Sequence, residues 1–195
     1  MAKLYFSYSA MNAGKSAILL QSAHNYNERG MRTLLMKPAF DTRDGGTGSI
    51  SSRVGLSAPA KTFLACDDLT GLVLDEHAKG EIACVLVDEA QFLTATQVWQ
   101  LAELADAHGL PVMCYGLRTD FLGELFEGSG ALLAIADSVR EIRTICWCGR
   151  KASMNLRIDE SGQPVREGAQ IEIGGNDRYV ALCRAHWRKG KTSPK

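Results

Sequence analysis

Ser9-Ala10-Met11-Asn12-Ala13-Gly14-Lys15-Ser16 stands between the apolar run Leu4-Tyr5-Phe6 and the helix-like Ala17-Ile18-Leu19-Leu20, and its residue types suit phosphate. A strand that turns into a helix leaves backbone N–H groups unpaired and pointing outward, and the helix dipole adds about half a positive charge there. Gly14 lets a ligand approach the backbone, Lys15 can reach β- and γ-phosphates, and the Ser16 hydroxyl can ligate Mg²⁺. The pattern GxxxxGK[ST] is missed at one position, because Ser9 stands where its first glycine would be. Taken alone, the segment also fits a plain strand-to-helix turn with a surface lysine.

Asp88 and Glu89 close the run Ile82-Ala83-Cys84-Val85-Leu86-Val87. An uninterrupted apolar run fits a central parallel strand buried on both faces, and the carboxyl end of such a strand lies beside a phosphate loop. Asp88 can hold Mg²⁺, directly or through water. Glu89, expected on the opposite side by strand alternation, can face an acceptor hydroxyl as a general base. The alternative is a pair of acids that merely caps a strand edge.

Cys146-Trp147-Cys148 and Cys183-Arg184-Ala185-His186 form a second constellation. In an extended segment Cys146 and Cys148 would face one side, and Cys183 and His186 would do the same on a helical turn. Three thiolates and one imidazole can then complete a tetrahedral zinc site with no open position, which is structural rather than catalytic. Unrelated buried cysteines are the competing reading. Cys84 and Cys114 lie inside apolar runs and read as small core residues, and Cys66 has no assignment.

These groups need a scaffold that brings them together. Residues 3–8 predict a first strand, 15–29 a helix stopped by Gly30, and 33–37 a second strand in a parallel pair with the first. Residues 41–59, rich in Gly and Ser, predict a flexible loop or a loose hairpin, either closing over a ligand or a tolerated surface insertion. A helix capped by Thr94 and running to His108, a strand over 110–116, the polar stretch 117–121, a short helix near 130–137 and a strand near 139–145 follow. Beyond Cys146, short strands (152–158 and 170–173), a turn at 160–164 and the Gly174-Gly175 pair predict a small β-rich appendage. It is too short to make a core unaided, and zinc, worth on the order of 10 kcal/mol in small modules, would staple it.

Lys+Arg and Asp+Glu both count 22 in 195 residues, and aromatics make up 7%, so no nucleic-acid groove or membrane surface is expected. No apolar run reaches the roughly 18 residues of a bilayer span, and no signal-peptide pattern opens the chain. Six cysteines, irregularly spread, make no disulfide framework. A cytoplasmic protein is the expectation.

With Tyr115-Gly116-Leu117-Arg118-Thr119-Asp120-Phe121 and Ile173-Gly174-Gly175-Asn176-Asp177-Arg178-Tyr179 added to Met11-Asn12-Ala13-Gly14-Lys15-Ser16, Asp88-Glu89-Ala90-Gln91-Phe92 and the cysteine pairs, the sequence resembles the zinc-containing, tetrameric type II thymidine kinases. The likeness covers nearly the whole chain in the right order. It implies an α/β fold: a P-loop (RecA-like) parallel sheet with helices over residues 1–143, a C-terminal zinc-stapled β-rich lasso domain over 144–188, and a flexible basic tail over 189–195. It implies transfer of the γ-phosphate of Mg-ATP to the 5′-hydroxyl of thymidine or deoxyuridine, in deoxynucleoside salvage. Glu89 would be the base. Ser9, Ala10, Met11, Asn12, Ala13, Gly14, Lys15, Ser16, Asp88 and Gln91 would bind ATP, with Ser16 and Asp88 also serving magnesium. Met11, Leu117 and Phe121 would line the thymine pocket, Tyr179 would stand beside the nucleoside, and the backbone of Gln170, Ile171, Glu172, Ile173 and Gly174 would read the base edge. Arg118 either balances charge on the phosphoryl group or makes an ordinary surface salt bridge.

The resemblance also implies a homotetramer and feedback binding of thymidine triphosphate, with no nucleic-acid or membrane partner. The strongest rival is a P-loop ATPase acting on nucleic acid, since Asp88-Glu89-Ala90-Gln91 has the look of a helicase acidic box. A single α/β domain and a neutral chain oppose it. A non-catalytic nucleotide-binding regulator with a zinc module is opposed by the intact Lys15, Asp88 and Glu89.

Overall fold

The computed structural model describes residues 1–41, 48–170 and 178–194. Strand β1 (Leu4–Ser9) leads into helix α1 (Lys15–Asn27) and β2 (Thr33–Pro38). A small antiparallel hairpin, β3 (Ser49–Ser51) and β4 (Ser57–Pro59), precedes β5 (Lys61–Phe63), α2 (Leu69–Ala78) and β6 (Cys84–Val87). Then come α3 (Ala95–Asp106), β7 (Val112–Leu117), α4 (Glu127–Ile135) and β8 (Ser138–Glu141). The main sheet has six strands in the order β5-β2-β6-β7-β1-β8, every neighbouring pair parallel.

Strand alternation sorts the core into two layers. Leu34, Met36, Val85 and Val87 pack with Leu69 and Val73 of α2, Leu101 of α3 and Leu132 of α4. Leu35, Cys84, Leu86 and Tyr115 pack on the other side with Leu19, Leu20 and Ala23 of α1 and Ile50 of β3. Helices on both faces explain why Cys84-Val85-Leu86-Val87 shows no polar alternation.

The expected pairing of the first two strands is not what forms. Both lie parallel in one sheet, but β6 and β7 stand between them. A crossover helix requires only that the chain return to the same sheet, and the most apolar strand, β6, takes a central place. One strand, β7, separates β1, which leads into the phosphate loop, from β6, which leads into Asp88, as the RecA-like expectation requires. The Gly/Ser-rich stretch proves to contain the hairpin β3–β4, while its residues 42–47 lie outside the described residues. Strand β5 and helix α2 carry no strong sequence pattern and were not expected; α2 is capped by Asp68, which accepts from the Thr70 N–H.

Helix signals were more legible. Thr94 caps α3 as expected, with Gln97 completing a reciprocal capping box. Helix α1 stops at Asn27, two residues before the expected end, where Gly30 adopts φ 72° and the Met31 N–H returns to the Tyr26 carbonyl.

The C-terminal part holds the hairpin β9 (Thr144–Ile145) and β10 (Lys151–Ala152), then β11 (Met154–Ile158), β12 (Pro164–Val165), β13 (Tyr179–Leu182) and α5 (Arg184–Lys189). Strand β11 lies between β12 and β13 in an antiparallel sheet. The strand expected near 139–145 therefore breaks in two, its first half in the main sheet and its second in the hairpin. Leu156, Leu182, Ala152, Cys146 and Cys183 form a small separate core with Trp187 against it. The tail is less frayed than expected: Gly190 caps α5, and the Lys191 carbonyl accepts from Trp147 Nε1 at 3.1 Å. No helix among the described residues is long and apolar enough to cross a membrane.

Candidate active site

Strands β1, β6 and β7 end on one edge of the sheet, and the turns after them build a cleft of about 510 Å³. After β1, Asn12 (φ 62°) and Gly14 (φ 82°) bend the loop through two left-handed residues, and the Gly14 carbonyl accepts the first helical bond of α1 from Ile18. Lys15 lies buried along this loop, its ammonium donating to Ser9 Oγ at 3.2 Å. The Ser9 hydroxyl donates in turn to the Ala10 carbonyl. The residue that breaks the GxxxxGK[ST] pattern thus holds the loop lysine.

Ser16 Oγ donates to Asp88 Oδ2 at 2.8 Å, joining the first turn of α1 to the end of β6. Burial, then the charge of Glu89, pushes the Asp88 carboxyl up to about 7, against the pull of the Ser16 hydroxyl and the Lys15 ammonium. Two hard oxygen donors side by side in an acidic, buried corner fit a divalent cation such as Mg²⁺.

Glu89 is aimed differently from the expectation. Strand β6 ends at Val87, and Glu89 takes φ 51°, ψ 38°, opening a single 3₁₀ turn over Ala90–Phe92. A left-handed residue with a long side chain costs of order 1–3 kcal/mol, so the surrounding contacts must impose it. Gln91 is one of them: its Nε2 donates to Glu89 Oε2, and its Oε1 accepts from the Leu117 N–H at 2.9 Å. Gly116 makes room, since a Cβ there would lie 2.7 Å from Gln91 Oε1 and 2.9 Å from its backbone nitrogen. Gln91, expected on ATP, is instead turned inward onto Glu89 and Leu117. The cleft itself is lined by residues 11–16, Asp88, Glu89 and Leu117, with Asp41, Ser52 and Arg53 closing it from the hairpin side.

The remaining expected nucleoside residues gather around another centre. Phe121 is buried, with the Arg157 guanidinium 3.7 Å over its ring. The Tyr179 hydroxyl accepts from Arg157 Nε at 3.1 Å, and Gln170 Nε2 donates to Asp120 Oδ2 at 3.0 Å. Ile171, Glu172, Ile173 and Gly174 lie outside the described residues. Arg118 sits 5.6 Å over the Tyr8 ring. Asn155 of β11 ties the two centres: its Oδ1 accepts from the Met11 N–H at 2.8 Å, and its Nδ2 reaches the Thr119 carbonyl at 3.4 Å. Trp187 Nε1 lies 3.1 Å from the carbonyls of both Phe121 and Asn155.

Cys146, Cys148, Cys183 and His186 bring their ligand atoms within 4.8 Å of one another. Tetrahedral zinc with ordinary bond lengths needs S···S near ~3.8 Å and S···N near ~3.6 Å. Cys148 and Cys183 sulfurs are 3.9 Å apart, and His186 Nδ1 lies 3.4 and 3.5 Å from Cys146 and Cys183. The donor set and spacing therefore fit zinc. The route is not the extended segment expected: the Gly149 N–H bonds the Cys146 carbonyl, closing a turn with Gly149 at φ 81° that folds Cys148 back. Burial would raise the Cys146 thiol, but the N–H groups of Cys148 and Cys183 and the His186 ring outweigh it and bring it down to about 6, as suits a metal ligand. Trp147 stacks on His186 at 4.1 Å.

A family model described as thymidine kinase matches residues 2–187. The chain belongs to the thymidine kinase family. It is 62% identical over 189 residues to a thymidine kinase of Rhizobium meliloti (strain 1021), covering 96% of each chain. A thymidine kinase of Novosphingobium aromaticivorans is 63% identical over 187 residues, covering 96% of this chain and 97% of its own. One from Ruegeria pomeroyi is 58% identical over 194 residues, covering 100% of this chain and 98% of its own.

Within this thymidine kinase fold, Asn155, Arg157, Trp187 and Arg53 are functional candidates that sequence reasoning missed. Arg53 left a faint signal, as the one charged side chain in residues 48–59. The other three left none, because their contacts reach loops far away in sequence.

Proposed function

We propose that this chain is an ATP:thymidine 5′-phosphotransferase. The observation that carries the reading is the meeting, in one cleft, of the phosphate loop, the Ser16–Asp88 pair and the Glu89 carboxylate, in a chain that matches thymidine kinases along its length. Lys15 and the N–H groups of the loop bind the triphosphate. Ser16 and Asp88 would hold Mg²⁺, which supplies neutralisation of phosphate charge when bound. Glu89, steadied by Gln91, takes the proton from the 5′-hydroxyl as that oxygen bonds to the γ-phosphorus and the bond to the β–γ bridging oxygen breaks. Thymidine 5′-monophosphate and ADP leave. General-base help of this kind supplies about 10²- to 10⁴-fold in rate.

Met11 and Leu117 lie where a thymine could extend from the donor loop, and Phe121, Tyr179 and the stretch 170–174 complete the nucleoside side, with deoxyuridine a second acceptor. Arg53 brings a cation to the phosphate side of the cleft. Zinc at Cys146, Cys148, Cys183 and His186 is structural, because four protein ligands leave no open position. The functional division follows residue 143: a donor domain, a zinc-held lasso over 144–188 and a terminal segment. Three reduced thiols at a metal suit a reducing compartment, the cytoplasm. We extend the reading to a homotetramer, to feedback binding of thymidine triphosphate at the substrate cleft, and to salvage of deoxynucleosides for DNA synthesis.

Purified protein is incubated with labelled ATP, Mg²⁺ and each nucleoside in turn, beside ATP hydrolysis with and without DNA. Labelled thymidine monophosphate is expected. DNA-stimulated hydrolysis with no nucleoside monophosphate would sink the kinase assignment.

A further inference from the structure

We propose that Arg157 is a positioning residue for the nucleoside, acting through the Phe121 ring and the Tyr179 hydroxyl. This rests on the thymidine kinase reading and on the assignment of Phe121 and Tyr179 to the nucleoside side. Arg157 sits on β11, the middle strand of the small sheet, directly across from Tyr179 on β13 and Val165 on β12. It is 6% exposed, and its guanidinium is engaged through its face, Nε and one terminal nitrogen. Its face covers the Phe121 ring at 3.7 Å; Nε donates to the Tyr179 hydroxyl at 3.1 Å; a terminal nitrogen donates to the Ala169 carbonyl at 2.7 Å. Gly168 fits this closeness, with φ 119° and a position where a Cβ would lie 3.2 Å from Arg157 Nη1.

Phe121 belongs to the loop after β7, whereas Ala169 and Tyr179 belong to the chain on either side of residues 171–177. One planar cation therefore sets the relative position of the main-sheet loop and both of those flanks. Stability alone does not explain the residue type, because a buried ion can often be exchanged for apolar packing without loss. Geometry does explain it. A guanidinium has a flat face to stack on a ring and N–H groups at fixed angles, and lysine has neither. Covered by the guanidinium, the buried Phe121 ring has its plane fixed beneath the nucleoside side. With the Tyr179 oxygen accepting from Nε, its own O–H must point elsewhere, which gives the nucleoside a donor of fixed direction. Arg157 touches neither substrate in this scheme.

The test compares full-length, zinc-loaded wild type with Arg157→Met and Arg157→Lys, by initial rates with thymidine and ATP varied separately. In both variants the thymidine KM is expected to rise roughly tenfold or more, with the ATP KM within about twofold of wild type. Tyr179→Phe should raise the thymidine KM less in the Arg157→Met background than in wild type, because the two side chains act as one unit. A folded variant with unmoved thymidine KM overturns the proposal, as does a parallel rise in both KM values, the mark of a merely structural role. Additive effects of the two substitutions also count against it. Should Arg157→Met fail to fold, Arg157→Lys carries the test, with zinc content and melting temperature as the check on folding. Wild type inactive on every nucleoside would sink the kinase reading and this proposal with it; active wild type with an unmoved variant sinks this proposal alone.

Discussion

Asn155→Leu removes the clasp between the small C-terminal sheet and the loop after β1. Asn155 is 3% exposed, and its Oδ1 accepts from the Met11 N–H at 2.8 Å. Leucine keeps the branched outline of asparagine and leaves no cavity, so the lost polar contact is the effect to read. The Met11 N–H would be left without its acceptor in a half-buried position, a cost of about 1–3 kcal/mol. The 3.4 Å contact from Nδ2 to the Thr119 carbonyl is long and adds little. For a chain of this size each kcal/mol is worth about 2–4 °C, so the melting temperature should fall by about 2–12 °C. Function should feel it too, because Met11 lies in the middle of the loop proposed to wrap the triphosphate. If the loop must be re-formed when ATP binds, the same 1–3 kcal/mol appears in the ATP KM as about a 5- to 150-fold rise. Zinc should stay bound, since the Asn155 side chain bonds Met11 and Thr119 rather than the four ligands. The assay is the initial rate of ADP formation at saturating thymidine with Mg-ATP varied, beside melting curves and metal analysis. A lowered melting temperature with an unchanged ATP KM would refute the reasoning and leave Asn155 as a core residue of the small sheet.

Glu89→Gln should lower kcat by about 10²- to 10⁴-fold and leave ATP affinity nearly intact, as measured by steady-state rates and nucleotide titration; retained turnover removes Glu89 from its role as base. Cys146→Ser takes away one of the four ligands, so zinc content should drop below about one per chain and the small core around Leu156 and Leu182 should melt early. A metal-free yet cooperatively folded C-terminal part would contradict that. Hydrogen bonds from Lys79 and then Lys61 hold the Glu76 carboxyl well below its ordinary 4.5, at about 2. A group depressed on folding contributes stability above its unfolded value and loses it as pH falls through the folded one, so this contribution fades between about pH 4.5 and 2. Glu76→Gln should flatten the acid limb of a melting-temperature profile in that window, and an identical acid limb would refute the network.

Most of the chemistry was legible along the chain because it is written in contiguous residues. Gly14-Lys15-Ser16 follows a strand and opens a helix; Asp88-Glu89 ends a run whose apolar continuity marks a strand buried on both faces; Thr94 and Gln97 cap a helix at fixed spacing. Cys146, Cys148, Cys183 and His186 announced a tetrahedral site by type alone, although the first pair is presented by a turn rather than a strand. These are local consequences of backbone geometry and side-chain type. What lay beyond the sequence was every decision between distant surfaces: that β6 and β7 stand between β1 and β2, that Gln91 turns from the cleft to hold Glu89, and that Asn155, Arg157 and Trp187 reach back to Met11, Phe121 and Thr119. Such contacts depend on which buried faces complement one another once the layers have packed, and no period or spacing along the chain encodes that choice.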